Sequence, residues 1–214
     1  MLLIESPRAD RIVKFIFPFI LGFGVLGIVS FLLVDNPLKY WSLISAYFFP
    51  PLGKESIIPI GIAGGIPPIL MALTIAFVDI IVALFLVWNY DLAKKIPLIG
   101  KFMIKVEEKG KNVEKKYGWI KPLRFIGITL FVIVPFQGSG GLVGSIVGRL
   151  IGMKPWNTFF AISLGAIIGT LLIATFSKAF LIFAEINTML TIILIVVIVV
   201  IIILYFAIKK SKKK

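Results

Sequence analysis

Residues 56–90 read SIIPIGIAGGIPPILMALTIAFVDIIVALFLVWNY, a run of 35 residues with a single charged side chain, Asp79. A helix needs about 20 apolar residues to cross the hydrocarbon core of a bilayer, so this run is longer than one span. Its beginning is rich in residues that disfavour a continuous helix: Pro59, Gly61, Gly64, Gly65, Pro67 and Pro68. Proline removes an amide donor and glycine loosens the backbone. We therefore expect a broken element over 55–68, followed by a regular helix over 69–90.

A second broken element is expected over 125–151. Its two halves, 125–134 and 142–151, have about ten residues each, or roughly 15 Å of helix, which is half of a bilayer core. Between them the chain reads Pro135-Phe-Gln-Gly-Ser-Gly-Gly141. The pair forms either one broken span or a re-entrant hairpin, because non-helical backbone at membrane depth needs protein or water around it.

The composition indicates an integral membrane protein. The chain is 59% hydrophobic, and its mean hydropathy is +1.07 over 214 residues, well above the values of ordinary soluble domains. Three further apolar runs predict spans at 15–34, 155–177 and 186–208. An aromatic segment over 40–54 is typical of an outer membrane interface. A basic connector over 91–122 is either an amphipathic helix on the inner leaflet or a solvated linker, and a basic tail occupies 209–214.

The distribution of charge selects one topology. If both broken elements are hairpins that return to their side of entry, four spans remain, and 20 of the 23 Lys and Arg residues lie on the cytoplasmic side. The other arrangements place large basic clusters outside, against the positive-inside rule. The predicted fold is an all-α integral membrane protein, a single transmembrane domain over 1–214, with four transmembrane helices and two opposed re-entrant hairpins. We expect it in the plasma membrane with both termini cytoplasmic.

Two opposed hairpins, each followed by a full span, form an inverted repeat. A match supports it in the sequence: Pro59-x-x-x-Ala63-Gly64-Gly65 aligns with Pro135-x-x-x-Ser139-Gly140-Gly141 at an offset of 76 residues. Paired Gly- and Pro-interrupted segments in two halves of a membrane protein indicate a transport site.

Several classes of chemistry are excluded. The chain has no Cys and no His, so it has no disulfide, no Cys nucleophile, no imidazole base and no zinc site of the usual ligands. We expect no metal and no cofactor. The pI near 10 does not indicate nucleic acid as a partner, because the basic residues flank apolar runs, where they orient membrane helices.

Acid residues are the first candidates for function. Asp79 lies near the centre of a predicted span, where a carboxylate costs about 2.5–3.5 kcal/mol and by default marks a site. Glu55 enters the first hairpin beside Lys54. We interpret both acids as proton- or cation-coupling groups. The structural alternatives are an acid that only holds helices together, for Asp79, and an interfacial ion pair with Lys54, for Glu55.

The second hairpin supplies the substrate-binding candidates. Its polar and flexible tip is formed by Gln137, Gly138, Ser139, Gly140 and Gly141, where backbone amides could approach a ligand closely. The alternative is a Gly-rich packing motif. Arg149 follows the hairpin and either snorkels to the inner headgroups or binds an oxyanion.

The two hairpin motifs, Lys54-Glu-Ser-Ile-Ile-Pro-Ile-Gly-Ile-Ala-Gly-Gly-Ile-Pro-Pro68 and the stretch from Ile133 to Met153, resemble the small multidrug export protein family. The resemblance covers about residues 50–178. That family is distantly similar to the DedA/VTT membrane proteins, which implies facing re-entrant hairpins, translocation of lipids and membrane acids in proton coupling. Glu55 and Asp79 resemble those acids. DedA proteins place arginines around the second hairpin's proline, whereas this chain has Phe131 and Gln137 there.

The sequence therefore predicts a transporter or lipid translocase, coupled to protons or monovalent cations, that moves a small amphipathic or lipid substrate between the hairpins. A drug exporter without a lipid substrate and a non-transporting scaffold are the alternatives. An intramembrane lipid enzyme is the least favoured hypothesis, because no nucleophile or metal motif supports it. Membrane lipids are expected partners, and homo-oligomerisation stays open.

Overall fold

The computed structural model describes residues 7–49, 52–93, 120–136, 139–193, 196–197, 200–201 and 204. Within these ranges the regular structure is helical, without a β-strand. The chain divides into two compact units, residues 1–175 and residues 176–214. In chain order the helices are α1 (Pro7–Leu33), α2 (Pro37–Tyr47), α3 (Lys54–Ala63), α4 (Pro68–Ala93), α5 (Ile120–Ile133), α6 (Gly141–Leu150) and α7 (Pro155–Ile186). Most of the predicted connector over 91–122 and all of the tail over 209–214 lie outside the described residues.

Three of the described helices are long and apolar enough to cross a membrane: Ala9–Leu33, Pro68–Tyr90 and Pro155–Ile186. The protein is therefore an all-helical, multi-pass membrane protein. The predicted fourth span, 186–208, lies partly outside the described residues and stays a prediction. Helix α7 continues nine residues past 177, where we expected the span to end. Lys178 does not end it, because Lys is a good helix former and no Gly or Pro follows before Ile186.

The helices α2–α4 and α5–α7 repeat one local structure 87 residues apart. The short helices α3 and α6 have ten residues each, and each follows a glycine with extended backbone. Each ends in a turn that contains a glycine with positive φ, +93° at Gly65 and +85° at Gly152. Three pairs of residues mark the register: Gly53 with Gly140, Gly65 with Gly152, and Pro68 with Pro155.

The packing of the two turns follows the same register. Ile66 N donates to Gly61 O, and Met153 N donates to Gly148 O, both at 3.0 Å. Both acceptor positions are tightly packed, because a Cβ there would lie 2.7 Å from a side-chain atom of the following long helix. Those side chains are Met71 in the first repeat, α2–α4, and Thr158 in the second repeat, α5–α7, again 87 residues apart. Each short helix therefore folds back tightly on the long helix that follows it.

The predicted offset of 76 residues is wrong. Gly64 and Gly65 lie in the turn that ends α3, whereas Gly140 and Gly141 begin α6. A helix end that needs positive φ and a helix start that needs close backbone approach both select glycine. The two strings therefore match in composition without being equivalent in structure.

The broken element expected over 55–68 begins with a continuous helix, because α3 runs from Lys54 to Ala63 and includes both Pro59 and Gly61. Pro59 removes one hydrogen bond, the one that an amide there would donate to the Glu55 carbonyl one turn back. The break falls at 64–67 instead, where the positive φ of Gly65 turns the chain before Pro68 begins α4. In the second element the break falls where we predicted it, at Pro135, between α5 and α6.

Helix α4 is the element that both halves share. It packs against α1, α3 and α6. One hydrophobic cluster joins it to α2 and α3 through Tyr40, Ile58 and Ile75. A second cluster joins it to α5 and α7 through residues such as Val132 and Ile162. A polar residue on α4 between these clusters is thus placed where the two repeats meet.

Candidate functional site

Asp79 occupies that position on α4 and is buried, with 2% of its surface exposed. Its Oδ1 accepts two hydrogen bonds, from the backbone N–H of Gly141 at 2.7 Å and from the Tyr47 hydroxyl at 2.8 Å. Among the described residues, its Oδ2 is buried without a hydrogen-bond partner. The predicted site residue is therefore held on one oxygen, and its bonding capacity is open on the other.

The partner amide belongs to the first turn of α6. The first amides of a helix have no acceptor inside the helix and carry the positive end of its dipole. Gly140 precedes α6 and offers no side chain to cap it. The Asp79 carboxylate takes that role from another helix, which stabilises the negative charge and fixes the start of α6 against α4.

Glycine is required at this contact by proximity. A Cβ on Gly141 would overlap the backbone carbonyl of Asp79. On Gly140 it would lie 2.5 Å from the Tyr47 hydroxyl and 2.7 Å from Asp79 Oδ1. Both glycines pack closely against Asp79 and Tyr47, as the alternative of a Gly-rich packing motif describes, and their predicted role in substrate binding stays a prediction.

Lys54 is the second buried charge of the site, with 2% exposed. It is the first residue of α3, and its Nζ donates to the backbone carbonyl of Val132, near the end of α5. The first repeat therefore contacts the second through Lys54, while the second contacts the first through Gly141. Lys54 was considered in the sequence only as a partner of Glu55. Its importance becomes visible only with the structural register of 87 residues, in which Lys54 is the equivalent of Gly141.

A cavity of about 220 Å³ lies between these groups. Its polar lining includes Tyr47, Lys54 and Asp79, and most of its remaining wall is apolar, with Phe48, Val82 and Phe136 among its residues. Lys54 and Asp79 form no direct ion pair in the part of the chain that the structure describes. The cavity thus brings a buried cation and a buried anion to one space without joining them.

Glu55 is half-buried, in the first turn of α3. Its carboxylate lies against Gly53, where a Cβ would come within 2.5 Å of both oxygens, and Oε2 has no hydrogen-bond partner among the described residues. The alternative of a Lys54–Glu55 ion pair is wrong, because the Lys54 ammonium turns to Val132 instead. Glu55 is not among the residues that line the cavity.

Two other described site candidates, Ser139 and Arg149, are not among the residues that line the cavity. The Ser139 hydroxyl donates to the Val134 carbonyl at 2.6 Å and closes the loop between α5 and α6. Arg149 Nη1 donates to Met153 O at 2.7 Å, and the guanidinium lies 4.7 Å from the ring centre of Tyr90. Arg149 therefore caps the turn between α6 and α7. Gln137 and Gly138 lie outside the described residues.

Tyr47 and Lys54, which lie outside the three candidate spans, have shifted ionisation. Burial raises the pKa of Tyr47 well above its usual value, and the neighbouring Asp79 carboxylate raises it further. Tyr47 is thus a hydrogen-bond donor at any physiological pH. Burial lowers the pKa of Lys54, and the Asp79 and Glu55 carboxylates oppose that shift.

Comparison with known proteins gives one match. The family model described as "Putative small multi-drug export protein" matches residues 56–172, which runs from the first turn of α3 into α7 and contains most of both repeated units. No curated protein and no solved structure matches. The matched segment is more than half of the chain, and the chain belongs to this family.

Proposed function

We propose that this member of the small multidrug export protein family is a coupled membrane transporter, with its substrate pathway at the cavity beside Asp79. The observation that carries the proposal is a carboxylate buried in the middle of an apolar helix, at a residue that lines a cavity. One oxygen is bound to the other repeat, and the other has no hydrogen-bond partner among the described residues. A carboxylate at membrane depth is costly unless it has a task. Gain or loss of a proton at Asp79 changes its bond to Gly141 and thereby couples charge to the contact between the repeats.

The repeat supports this mechanism. In transporters built from inverted repeats, the site lies at the interface of the halves, and one half moves against the other. Here the polar contacts Lys54 to Val132 and Gly141 to Asp79 cross that interface. The first hairpin was predicted over 55–68, but most of that range is the single helix α3. We therefore propose α2–α3, together with α5–α6, as the re-entrant hairpins, which enter from opposite faces of the plasma membrane. The basic clusters and both termini are then on the cytoplasmic side.

A small amphipathic molecule or a lipid is the proposed substrate, with a proton or a monovalent cation as the coupling ion. A DedA-like lipid translocase and a drug exporter without a lipid substrate are the two candidate activities, and the test below uses a probe for each. Glu55 is proposed as a second coupling acid, because its carboxylate lies beside Gly53 at the cavity's edge. A non-transporting scaffold is the alternative function. It does not explain why one carboxylate oxygen of Asp79 is buried without a hydrogen-bond partner among the described residues.

The test is flux in proteoliposomes. The two probes are a fluorescent phosphatidylethanolamine, followed by chemical quenching of the outer leaflet, and ethidium, followed by efflux. We expect the wild-type protein to move one of them faster under a pH gradient. The Asp79→Asn variant should lose most of that gradient dependence, by about tenfold or more, or roughly 1.4 kcal/mol in the barrier.

Asp35→Asn is the matched control, because Asp35 is exposed and lies outside the cavity. It should retain the wild-type response. Gradient-dependent flux that is unchanged in a folded Asp79→Asn protein would remove Asp79 from the coupling role. A wild-type protein that moves neither probe, with or without the gradient, would favour the scaffold.

A further inference from the structure

The cavity between the repeats presents two opposite charges that do not neutralise each other directly. Lys54 and Asp79 are both 2% exposed, both line the cavity, and form no ion pair with each other. Buried charges are costly unless they are paired and hydrogen-bonded. The arrangement is therefore incomplete as a structural element and is suited to a ligand that pairs with both.

Each charged group has bonding capacity that the protein does not use. Asp79 Oδ2 is buried and has no hydrogen-bond partner among the described residues. A lysine ammonium carries three N–H donors, and among the described residues that of Lys54 has the Val132 carbonyl as its hydrogen-bond acceptor. One side of the cavity thus accepts a hydrogen bond from a cation, and the other donates to an anion.

The cavity is also large enough for a charged ligand. The cavity volume of about 220 Å³ is about seven times the roughly 30 Å³ that one water molecule occupies in the liquid, which is enough for a head with two charged groups.

We propose that the ligand of this site has a zwitterionic head, with an ammonium that binds the Asp79 carboxylate and an oxyanion that binds Lys54. The inference concerns the binding of this ligand. It rests on the proposed function only for the further step that the bound ligand is transported. It specifies a net-neutral head, which the cavity can take up without adding charge to the low-dielectric interior. A head with one charge would leave either Lys54 or Asp79 without a partner.

A second cavity indicates that the ligand also has an apolar part. An apolar pocket of about 160 Å³ lies between α1, α2 and α4, and it shares Phe48 and Val82 with the charged cavity. Its other walls include Phe19, Phe23 and Trp41. The same zwitterionic head could belong to a free amino compound or to an amphiphile, and the adjoining apolar pocket favours the amphiphile.

Equilibrium binding tests the head group. Full-length protein in an uncharged detergent is titrated with three radiolabelled amphiphiles that share a dodecyl chain: dodecylphosphoethanolamine (zwitterionic), dodecylamine (cationic) and dodecyl phosphate (anionic). We expect the wild-type protein to bind the zwitterion about tenfold more tightly than either singly charged amphiphile. Lys54→Met should reverse the order in favour of dodecylamine, and Asp79→Asn should reverse it in favour of dodecyl phosphate.

Lys178→Met and Asp35→Asn are the matched controls, because both residues are exposed and outside the cavity, and they should keep the wild-type order. Equal binding of the three amphiphiles to the wild type, or a wild-type order in folded Lys54→Met, would overturn the inference. If Asp79→Asn does not fold, the Lys54→Met reversal decides alone. Phosphoethanolamine without a tail that competes as well as the amphiphile would overturn the role of the apolar pocket.

These outcomes are separate from those of the flux experiment. Head-group selectivity without flux would sink the transporter and keep the binding site. Flux without head-group selectivity would keep the transporter and sink the zwitterionic ligand.

Discussion

The two oxygens of the Asp79 carboxylate differ in their hydrogen bonds. Oδ1 accepts from the Gly141 amide in the first turn of α6 and from the Tyr47 hydroxyl. Oδ2 has no hydrogen-bond partner among the described residues. Under the proposed function, a change in the charge of Asp79 would therefore act directly on the start of α6.

The contact of Asp79 with Gly141 predicts that one methyl group added at Gly141 lowers the stability of the protein. In Gly141→Ala the new Cβ would overlap the Asp79 backbone carbonyl, so α4 and α6 must move apart. Overpacking of this kind typically costs about 1–3 kcal/mol. Thermal unfolding of the purified protein in detergent should show a lower midpoint.

Gly127→Ala is the control for this change. Gly127 lies in α5, and a Cβ there would have no neighbour within 4 Å, so the better helix propensity of alanine should leave the midpoint unchanged or raise it, by up to about 1 kcal/mol of stability. Equal midpoints for Gly141→Ala and Gly127→Ala would contradict the tight contact between α4 and α6.

The sequence identified a site residue where a buried charge is costly, and it did not identify contacts that depend on the path of the backbone. Asp79 was identifiable because a carboxylate in an apolar run needs a reason. Lys54 was not, since its place at the membrane interface in the sequence did not show that its ammonium reaches across to α5. Ser139 and Arg149 satisfy local carbonyls, a role that polar residues near helix ends commonly take and that cannot be distinguished from ligand binding in a single sequence.

The repeated element is a short helix joined to a long helix by a glycine turn. Gly65 and Gly152 adopt φ of +93° and +85°, values that residues with a Cβ rarely adopt. The same glycine position in both units indicates that the turn geometry, more than the side chains around it, defines the element.

This geometry predicts equivalent costs in both halves. Gly65→Ala and Gly152→Ala should each lower the stability by about 1–2 kcal/mol, because a side chain at positive φ meets the neighbouring carbonyl. Gly27→Ala in α1 is the control, since a Cβ there has no neighbour within 4 Å, and it should be neutral or stabilising. Unfolding midpoints in detergent measure all three, and a clear loss in only one of the two turns would argue that the turns are not equivalent.

Element positions were predictable in part. Uninterrupted apolar runs predicted α1, α4 and α7, because length and hydropathy alone determine a span. The repeat was predicted, but its register was not. Gly140-Gly141 and Gly64-Gly65 look alike as letters, and the distinction between a helix start and a helix end needs the backbone conformation.

For the whole molecule, the charge distribution and the repeat address the same question, which is how the halves are oriented. The basic clusters favour a topology in which the turn between α3 and α4 faces out and the turn between α6 and α7 faces in. The two repeats differ in charge at the candidate site. Lys54 and Asp79 belong to the first repeat, and the equivalent residues of the second repeat are Gly141 and Ala166, which are uncharged. The second repeat therefore contributes backbone groups to a site whose charges come from the first.

The orientation can be tested because the chain has no native cysteine. Ala63, at the end of α3, and Lys154, just before α7, are both exposed, and both belong to the turns that follow the short helices. If the repeat is inverted, a membrane-impermeant maleimide added to intact cells should label Ala63→Cys and not Lys154→Cys. In inside-out vesicles the labelling should reverse, since each turn would then face the opposite compartment. Labelling of both positions from the same side would mean that the two units are parallel, and a site that opens alternately to the two faces through opposed hairpins could not then exist.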